Sequence, residues 1–470
     1  MRPGIGWGKM QIPIISGIAT RGVDFSSAYP VNLIPVPKVQ GISEGYLRPA
    51  EGIVSLADGA GANRGGVRWR DRLYRVMGNR FLAVEENGAL TDYGFVSGYD
   101  WATFTASFDY LAINAGGNIY LFNGTTLQQI TDVDLGTSLD VEWINGYFMS
   151  TDGDSLIVTD LGNPFSVNPL KYGSSEISPD PVVSLQKLRN EVYAVNRYTV
   201  EVFAAVLNPG SGFPFARVEG AQIMKGAVGS RACCEFMQRL AFLGGGENEP
   251  PAVWLGMGGD AQKLSTREID DALRGYEDDV LASVVLESRV DRSHEFLLIH
   301  LPDQTLVFDG AGTQAAGQPV WFVLRSGTTP GGYRARGFVW CYNRWNVADP
   351  FGTKIGYLSD DELLHYGDAA RWEFTTPILY KEGRGAQIHE LELVALTGDI
   401  ADGVSISTQY SLDGAAWSQP RYAAVGKRSK RISWTRQGSF RNWRIQRFAG
   451  DSRAHLSFAR LEARVEDLAW

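Results

Sequence analysis

One unit recurs along most of this chain: a short apolar stretch, a tight polar turn, and a second apolar stretch. The units begin at Arg72, Asp109, Gly146, Asn190, Gln238, His294 and Asn343, and the first four are the clearest. Successive units start between 37 and 56 residues apart. Their turns include Gly78-Asn79, Gly116-Gly117 and Asp152-Gly153, which suit the positive φ angles of hairpin turns. Hairpins repeated at this spacing are typical of the four-stranded blades of a β-propeller.

These units predict a mainly β chain with a β-propeller of about seven blades; six are possible because the late units are irregular. A β-sandwich built of hairpins is the alternative arrangement, but similar units in series favour radial closure. The 54 Gly, 20 Pro and 54 aromatic residues disfavour helices and suit pleated sheets. One helix is expected between Ser265 and Ser283, where Ile269, Ala272 and Leu273 share a face.

The chain also needs a second domain, because hydrophobic cores stop growing near about 250–300 residues and this chain has 470. After about Trp372 the blade rhythm gives way to strands that alternate apolar and polar residues, which suits an antiparallel β-sandwich. Near the N-terminus, Pro30, Pro35 and Pro37 disfavour helix. We therefore predict an extended N-terminal arm over residues 1–50, a β-propeller over 51–372 and a C-terminal antiparallel β-sandwich over 373–470. The arm would close the ring or reach a neighbouring copy.

Charge is unevenly distributed between these parts. Residues 373–470 carry 14 Lys and Arg against 11 Asp and Glu, whereas the other 372 residues carry 30 against 42. The acidic body argues against a protein that coats nucleic acid, since such proteins neutralise phosphates with an excess of basic residues.

The basic residues concentrate between Arg421 and Arg453, interleaved with aromatic residues. Such mixtures occur in single-stranded nucleic-acid binding sites and in protein–protein interfaces, and a solvated strand face is the plainest alternative. Because the whole chain is acidic, we favour a protein interface over nucleic-acid binding. The predicted interface patch consists of Arg421, Lys427, Arg428, Lys430, Arg431, Trp434, Arg436, Arg441, Trp443, Arg444 and Arg447.

Motifs of catalysis are missing from the sequence. It contains no Gly-x-Ser-x-Gly, no His-Glu-x-x-His and no P-loop. The histidines are His294, His300, His365, His389 and His455. The first two share one strand face, which provides half a metal site at most, so we expect no catalytic residue, no metal and no other cofactor. The adjacent acids at Asp270-Asp271, Asp278-Asp279 and Asp360-Asp361 point apart, unlike the opposed carboxylates of a glycosidase.

The stretch from Tyr410 to Trp417 resembles the aspartate-box hairpin of sialidase-type propellers. It lacks the residue that this box places between Asp and Gly, and it lies outside the predicted propeller. We therefore interpret it as an Asp413-Gly414 hairpin turn with Trp417 packed across it.

The cysteines bear on where the chain folds. Cys233, Cys234 and Cys341 cannot build a disulfide framework, which favours folding in a reduced cytosol. The apolar run from Ile12 to Ala19 is too short for a membrane span and lacks the flanks of a signal peptide. We expect a chain without a membrane span.

Several short stretches carry a resemblance to a known family. They are Tyr29-Pro30-Val31-Asn32, Gly45-Tyr46-Leu47-Arg48, Gly52-Ile53, Arg64-Gly65, Tyr74-Arg75-Val76, Thr159-Asp160-Leu161, Lys225-Gly226, His294 to Pro302, Leu306 to Asp309, and Trp321 with Leu324. In this order they resemble the packaged DNA stabilisation proteins, the tail hubs of short-tailed bacteriophages. The stretch from His294 to Pro302 is the most specific, and the last hundred residues match only in general character.

The resemblance implies a structural virion protein of the phage tail, with no active site. Such hubs assemble as a homohexameric ring below the portal and its head-to-tail adaptor protein, retain the packaged DNA and form its exit channel. They also carry tailspikes or tail fibres and a tail needle. The expected partners are therefore other copies of the chain, these tail proteins, and passing genomic DNA without sequence-specific binding. An acidic body suits a conduit, because like charges keep the phosphates from adhering.

The alternative from another class is a glycan-acting propeller, either sialidase-like or a depolymerase, and a further alternative is a carbohydrate-binding module. The incomplete aspartate box and the lack of a placed acid pair disfavour these functions. Turnover of host surface polysaccharide distinguishes them, because a tail hub predicts none.

Overall fold

The computed structural model describes residues 8–15, 17–21, 24–37, 45–207, 212–381, 385–396, 404–425, 431–454 and 456–468. Its first strands are β1 (Gly8–Ile12), β2 (Gly17–Arg21), β3 (Asp24–Ala28), β4 (Leu33–Pro37), β5 (Gly45–Pro49) and β6 (Gly52–Asp58). Among these, β2 and β3 form a two-stranded hairpin, while the others join larger sheets.

Four consecutive antiparallel sheets of four strands follow. The first blade has β7 (Asn63–Trp69), β8 (Arg72–Met77), β9 (Arg80–Val84) and β10 (Leu90–Phe95). The second has β11 (Thr103–Ala106), β12 (Leu111–Ala115), β13 (Asn118–Phe122) and β14 (Leu127–Gln129). The third has β15 (Asp140–Ile144), β16 (Tyr147–Thr151), β17 (Leu156–Asp160) and β18 (Asn163–Val167). The fourth has β19 (Val182–Leu188), β20 (Glu191–Asn196), β21 (Val200–Ala205) and β22 (Phe215–Arg217).

The next three blades are less regular. The fifth has β23 (Gly226–Ala227), β24 (Cys233–Phe236), β25 (Arg239–Gly245), β26 (Ala252–Met257) and β27 (Asp260–Lys263), with β23 and β24 both paired to β25. The sixth has β28 (Val285–Asp291), β29 (His294–His300), β30 (Thr305–Asp309) and β31 (Trp321–Leu324). The seventh has β32 (Arg336–Cys341), β33 (Arg344–Ala348), β34 (Lys354–Ser359) and, as its outermost strand, β6.

The seven sheets close into a ring. The first strands β7, β11, β15, β19, β24, β28 and β32 each contact the next one, and β32 contacts β7 again, so these strands surround a common axis. The ring is sealed where β6, from the N-terminal side of the propeller, pairs along β34 from Lys354↔Asp58 to Ser359↔Gly52. Within the described residues the propeller therefore has seven blades, and the prediction of about seven is confirmed.

The seven repeating units of the sequence are the hairpins formed by the second and third strands of the blades. These strands are apolar on both faces because each blade packs against a neighbour on either side; β12 and nearly all of β13 are buried.

Turns between the first and second strands have a backbone conformation that their amino-acid composition does not indicate. In the first, fifth and seventh blades both turn residues have positive φ without glycine: Arg70-Asp71, Met237-Gln238 and Tyr342-Asn343.

The expected helix between Ser265 and Ser283 is two short helices, α1 (Arg267–Leu273) and α2 (Asp278–Ala282). A third helix, α3 (Gly310–Ala316), was not predicted. It starts where the Asp309 carboxylate accepts a hydrogen bond from the Gly312 N–H, at 2.9 Å, and ends at left-handed Gly317. None of the helices in the described ranges is long and apolar enough to cross a membrane.

The C-terminal strands are β35 (Arg371–Thr375), β36 (Leu379–Tyr380), β37 (Ala386–Leu396), β38 (Ser405–Ser411), β39 (Arg421–Ala424), β40 (Ile432–Phe440), β41 (Trp443–Asp451) and β42 (Ser457–Asp467). One sheet has the order β35-β41-β38-β39, with β36 also paired to β41. The other has the order β4-β5-β42-β37-β40, with β1 also paired to β42. Apolar side chains of both sheets, including Phe374, Leu391, Phe448 and Phe458, form a single core, so this part is the predicted antiparallel sandwich.

Three strands from the predicted N-terminal arm, β1, β4 and β5, lie in the six-stranded sheet of this sandwich. The segment is extended, as expected from its prolines, but it pairs with the far end of its own chain. The boundaries at residues 50/51 and 372/373 stay a prediction.

The propeller and the sandwich meet at Val31 and Asn32. The Val31 N–H donates to the Glu373 carbonyl of β35 (2.8 Å), and the Asn32 N–H donates to the Val323 carbonyl of β31 (2.8 Å). The Asn32 side chain donates to the Arg325 carbonyl (3.0 Å) and the Arg371 carbonyl (2.7 Å), and its oxygen accepts from the Arg325 N–H (2.9 Å). With φ of 53°, Asn32 is also in the left-handed region that Asn tolerates better than most residues. One residue thus ties an outer propeller strand to a sandwich strand.

Candidate functional site

The basic-aromatic patch predicted from the sequence does not form one surface. Lys427, Arg428 and Lys430 lie outside the described residues. The remaining members fall into an exposed seam between two sheet edges, a hairpin tip, and the sandwich interior.

The exposed seam runs between β39, at the edge of the five-stranded sheet, and β40, at the edge of the six-stranded sheet. Arg421 on β39 donates from Nη1 to the Arg436 carbonyl on β40 at 2.5 Å, which bridges the two sheets. Arg431 is 62% exposed and pairs with Glu392, its Nε lying 2.6 Å from Oε1. Arg421, Arg431 and Arg436 therefore present cationic side chains along this seam.

Two patch residues are interior, which corrects their assignment to a surface. Trp434 is 3% exposed, belongs to the sandwich core, and donates from Nε1 to the Arg421 carbonyl at 3.1 Å. Arg444 is 0% exposed and donates from Nη1 to the Gln437 carbonyl at 2.6 Å and from Nε to Gln446 Oε1 at 3.0 Å. Burial lowers the pKa of the Arg444 guanidinium to about 10. Composition and spacing along a strand do not reveal that these side chains point inward, because the packing of the two sheets decides which strand face is covered.

The other members lie at and beyond the β40–β41 turn. Arg441 is exposed and Trp443 half-buried. Arg447 stacks on the Trp417 ring, with its guanidinium carbon 4.2 Å from the ring centroid. Asp413 Oδ1 accepts from the backbone N–H groups of Ala415 and Ala416, as the hairpin-turn interpretation of this stretch requires.

The histidines occupy structural positions. His294 Nδ1 lies 2.5 Å from Asp309 Oδ2, and His300 Nε2 lies 3.0 Å from Glu287 Oε2. His365 Nδ1 lies 2.8 Å from Ser326 Oγ, and burial lowers the pKa of its imidazole to about 4. His455 lies outside the described residues. The described part of the chain holds no group of three His, Cys, Asp or Glu side chains placed to bind a metal ion.

A polar cluster on the propeller axis was not found from the sequence. Asp140, the first residue of β15, is 1% exposed. Its Oδ1 accepts from Thr103 Oγ1 (2.7 Å), and its Oδ2 accepts from Ser184 Oγ (2.6 Å) and the Leu185 N–H (3.0 Å). Arg231 Nη1 lies 3.2 Å from Oδ1. One carboxylate therefore joins the second, third, fourth and fifth blades.

Glu142 lies two residues further along β15, where its Oε2 accepts from Thr105 Oγ1 at 3.1 Å. Burial, together with the nearby Asp140 carboxylate, raises the pKa of Glu142 to about 8. Glu287 performs the same joining role between the sixth and seventh blades, since it accepts from the Gly337 N–H (2.9 Å) and the Phe338 N–H (3.2 Å). Carboxylates near the axis, of which Asp140 is buried and Glu142 and Glu287 are partly buried, thus receive donors from neighbouring blades.

Comparison with known proteins agrees with this architecture. Residues 10–362 match the family model described as bacteriophage P22 Gp10, β-propeller, and residues 371–466 match the one described as bacteriophage P22 Gp10, β-sandwich. The chain is similar to the tail hub protein gp10 of Salmonella phage P22, with 26% identity over 457 residues, covering 92% of this chain and 94% of that protein.

Solved structures give weaker similarities. The N-terminal domain of Nup159 aligns with a TM-score of 0.42 and 8% identity, covering 69% of this chain and 97% of that one. Virginiamycin B lyase from Staphylococcus aureus aligns with a TM-score of 0.42 and 11% identity, covering 65% of this chain and 98% of that one. Similarities at this level carry no argument about function.

Proposed function

This chain belongs to the bacteriophage P22 Gp10 family and has the structural role of a phage tail hub, and from that premise we propose that it works as a ring of six copies below the portal and its head-to-tail adaptor protein. In that position it retains the packaged DNA, forms the exit channel and anchors tailspikes or tail fibres and a tail needle. DNA passes through without sequence-specific binding.

The observation that carries the proposal is the order and extent of the family match. Propeller and sandwich follow each other as in the family and together cover nearly the whole chain. A hub that anchors other tail proteins has to transmit force between its two domains, and contacts within the structure support this role. Carboxylates near the axis join adjacent blades, and Asn32 joins the propeller to the sandwich, so a force on one domain can pass to the other through these hydrogen bonds.

We infer that the protein has no enzymatic activity and needs no cofactor. The aspartate-box-like hairpin lies in the sandwich, between β38 and β39, and its Asp413 is engaged in its own turn. The described histidines contact carboxylates or hydroxyl groups of the chain itself. These contacts favour a structural role over the glycan-acting alternative.

We infer that the chain folds in the host cytoplasm before it joins the virion tail. Cys233, Cys234 and Cys341 are free thiols, and burial raises the pKa of Cys233 to about 12 and that of Cys341 above its ordinary value. Protonated thiols of this kind are poor nucleophiles and suit a reduced compartment.

The decisive experiment adds the purified chain to DNA-filled, tailless heads that already carry their adaptor ring. Electron microscopy and a DNA-leakage assay are then applied. A sixfold ring at the portal vertex with DNA retained is the expected result. Absence of binding would overturn the proposal, and turnover of host surface polysaccharide by the purified chain would favour the glycan-acting alternative.

A further inference from the structure

The outer rim of the third blade exposes three large apolar side chains. Two short 3₁₀ helices lie there, Val133–Leu135 and Pro169–Lys171. Val133 is 90% exposed and Leu170 77%, and Leu161, in the turn between β17 and β18, is 64% exposed. We call Val133, Leu161 and Leu170 the third-blade rim. Grouped exposed apolar side chains are typical of protein–protein contacts, whereas isolated ones are ordinary.

Hydrogen bonds and an ion pair hold this rim in place. The Asp132 carboxylate accepts from the Asp134 N–H (3.0 Å) and from the Val167 N–H (3.0 Å), which fixes the first 3₁₀ helix to β18. Lys171 Nζ lies 2.9 Å from Asp160 Oδ1, which fixes the second 3₁₀ helix to the end of β17. Because the surface is held before a partner arrives, little conformational entropy is lost when it binds.

Proline and local pairing protect this edge of the sheet from the addition of a further strand. β18 is the outermost strand of the blade and contains Pro164, and Pro169 opens the second 3₁₀ helix. Gly173 then pairs with Leu156 of β17 through two backbone hydrogen bonds of 2.8 Å. Because proline offers no N–H and the chain already pairs along this edge, we expect a partner to meet the rim through side chains.

The same blade holds most of the negative charge of the chain. Residues 127–181, from β14 to the start of the fourth blade, contain nine Asp and Glu and a single basic residue, Lys171, which gives a net charge of −8 out of −9 for the whole chain. Asp154 and Glu176 are exposed and Asp134, next to Val133, is half-buried. None of these three carboxylates forms an ion pair within the described part of the chain, so the rim is surrounded by charge that favours a cationic partner surface.

The exposed seam of the sandwich carries the opposite charge. Residues 421–453 contain ten Lys and Arg and one acid, Asp451. Arg421 and Arg436 are exposed and, among the residues that the structure describes, neither forms an ion pair. Tyr422, next to Arg421 on β39, is 67% exposed. Since arginine and tyrosine contribute much of the binding energy at protein interfaces, the seam suits a surface that is acidic and apolar.

The rim and the seam lie at opposite ends of the molecule. The sandwich is joined to the sixth blade through Val31 and Asn32, and Arg48 of β5 pairs with Asp291 and Asp360 at the ends of β28 and β34. In the ring of seven, the third blade is three positions away from both the sixth and the seventh.

The strand order of the sandwich places the seam far from the propeller. β4 contacts β31 of the sixth blade and also β35, and β40 and β39 are at the other end of the two sheets that begin with β4 and β35. The seam therefore cannot meet the rim of its own chain. Two copies placed head to tail bring the two surfaces together, and a contact between two different surfaces closes a ring when it is repeated around an axis.

We propose that the third-blade rim of one copy docks on the exposed seam of the next copy in the ring. The apolar side chains of the rim face Tyr422, and the carboxylates around them face Arg421 and Arg436. This inference rests on the proposed ring of six copies and specifies the two surfaces that form it.

The first test joins the two surfaces covalently. Leu170→Cys and Tyr422→Cys are combined in one chain, the protein is assembled on DNA-filled, tailless heads that carry their adaptor ring, and a short bismaleimide is added. The expected result on a denaturing gel is a ladder of cross-linked species up to the hexamer, because each copy is joined to both neighbours. The unmodified chain measures the background from its three native cysteines.

The matched control for this test keeps Tyr422→Cys and replaces Leu170→Cys by Phe108→Cys. Phe108 is 87% exposed but lies in the turn between β11 and β12 of the second blade. This pair should give no ladder.

The second test exchanges the charges of the two surfaces. Asp134→Lys places a cation beside the rim and Arg436→Glu places an anion on the seam, and each change alone should lower the yield of rings on heads about tenfold, since like charges then face each other. In the chain with both changes every contact again pairs opposite charges, and the yield should recover to within about threefold. Arg189→Glu, at an exposed turn of the fourth blade, should not restore assembly of the Asp134→Lys chain.

A ladder that stops at the dimer, equal ladders from the two cysteine pairs, or rings of the Leu170→Cys and Tyr422→Cys chain that give no ladder would overturn the inference. So would a chain with both exchanged charges that assembles no better than the single variants while keeping the urea midpoint of the unmodified chain. Failure of the tail hub function is distinguishable, because in that case the unmodified chain does not join the heads at all.

Discussion

Arg231, between β23 and β24 of the fifth blade, contacts Asp140 of the third blade, with Nη1 lying 3.2 Å from Oδ1. The Asp140 side chain is 2% exposed and that of Arg231 13%. Thr103 and Ser184 donate to the same carboxylate from the second and fourth blades. These contacts connect four blades, since the second, fourth and fifth blades each supply a donor to the one acceptor in the third.

Replacing this acceptor should strongly destabilise the propeller. Asp140→Asn keeps the size of the side chain but removes its charge and turns two amide hydrogens toward donor groups. Breaking a buried charged pair costs about 3–5 kcal/mol, so we expect a loss of this order in the free energy of unfolding, measured with urea. Asp154→Asn, in an exposed turn, should change it by less than about 0.5 kcal/mol. Equal effects of the two changes would mean that Asp140 does not join the blades.

The junction between the domains should depend on Asn32. Asn32→Ala removes three side-chain hydrogen bonds, each contributing about 1 kcal/mol, and places Ala in the left-handed region. We expect faster amide hydrogen exchange at Val31 and Val323 with little change within the central blade strands. Asn248→Ala, in an exposed loop of the fifth blade, serves as the control. Unchanged exchange at Val31 in the Asn32 variant would contradict the role assigned to this residue.

Glu142 should make stability depend on pH. Its folded pKa of about 8 lies above the ordinary value of 4.5, so the protonated form stabilises the fold below about pH 4.5 and this contribution is lost as the pH rises toward 8. In Glu142→Gln the side chain stays neutral. The free energy of unfolding of the variant relative to the unmodified chain should therefore rise between pH 5 and 8, by at most about 1.4 kcal/mol per pH unit. A difference that stays constant over this range would show that Glu142 is ionised in the folded protein.

The exposed part of the basic-aromatic patch should contribute to assembly. Arg436→Glu combined with Arg441→Glu reverses two exposed charges of the patch, and we expect it to weaken ring formation or attachment to heads. The urea midpoint should stay the same, because neither side chain is buried. Arg189→Glu on the propeller is the matched control. Normal attachment of the double variant would remove the patch from the assembly interface.

Much of the propeller was predictable because its signals are local. A few consecutive residues are enough to predict a blade hairpin, as in Arg72 to Val84, where two apolar strands flank Gly78-Asn79. The strands after Trp372, which alternate apolar and polar residues, could be predicted for the same reason. The resemblance of Tyr29-Pro30-Val31-Asn32 to a known family pointed to an important segment but not to its task.

Two kinds of feature could not be predicted from the sequence: which side chains of the C-terminal strands are buried, and which turn residues without glycine have positive φ angles. Trp434 and Arg444 belong to a stretch whose composition suggests a surface, yet both are interior, because the folding of two sheets against each other decides which strand face is covered. Similarly, the absence of glycine in the Arg70-Asp71 and Tyr342-Asn343 turns gave no sign of their positive φ angles.

The sequence by itself determined the blade rhythm, the mainly β class and the two-domain order, since periodicity and turn chemistry act between residues that are neighbours in the chain. Only the tertiary structure decided how the ring closes through β6 and β34, which residues share Asp140, and which side chains of the C-terminal strands are buried. These contacts join residues tens to hundreds of positions apart. Their partners are selected by burial and hydrogen-bond satisfaction over the whole fold, which no local pattern records.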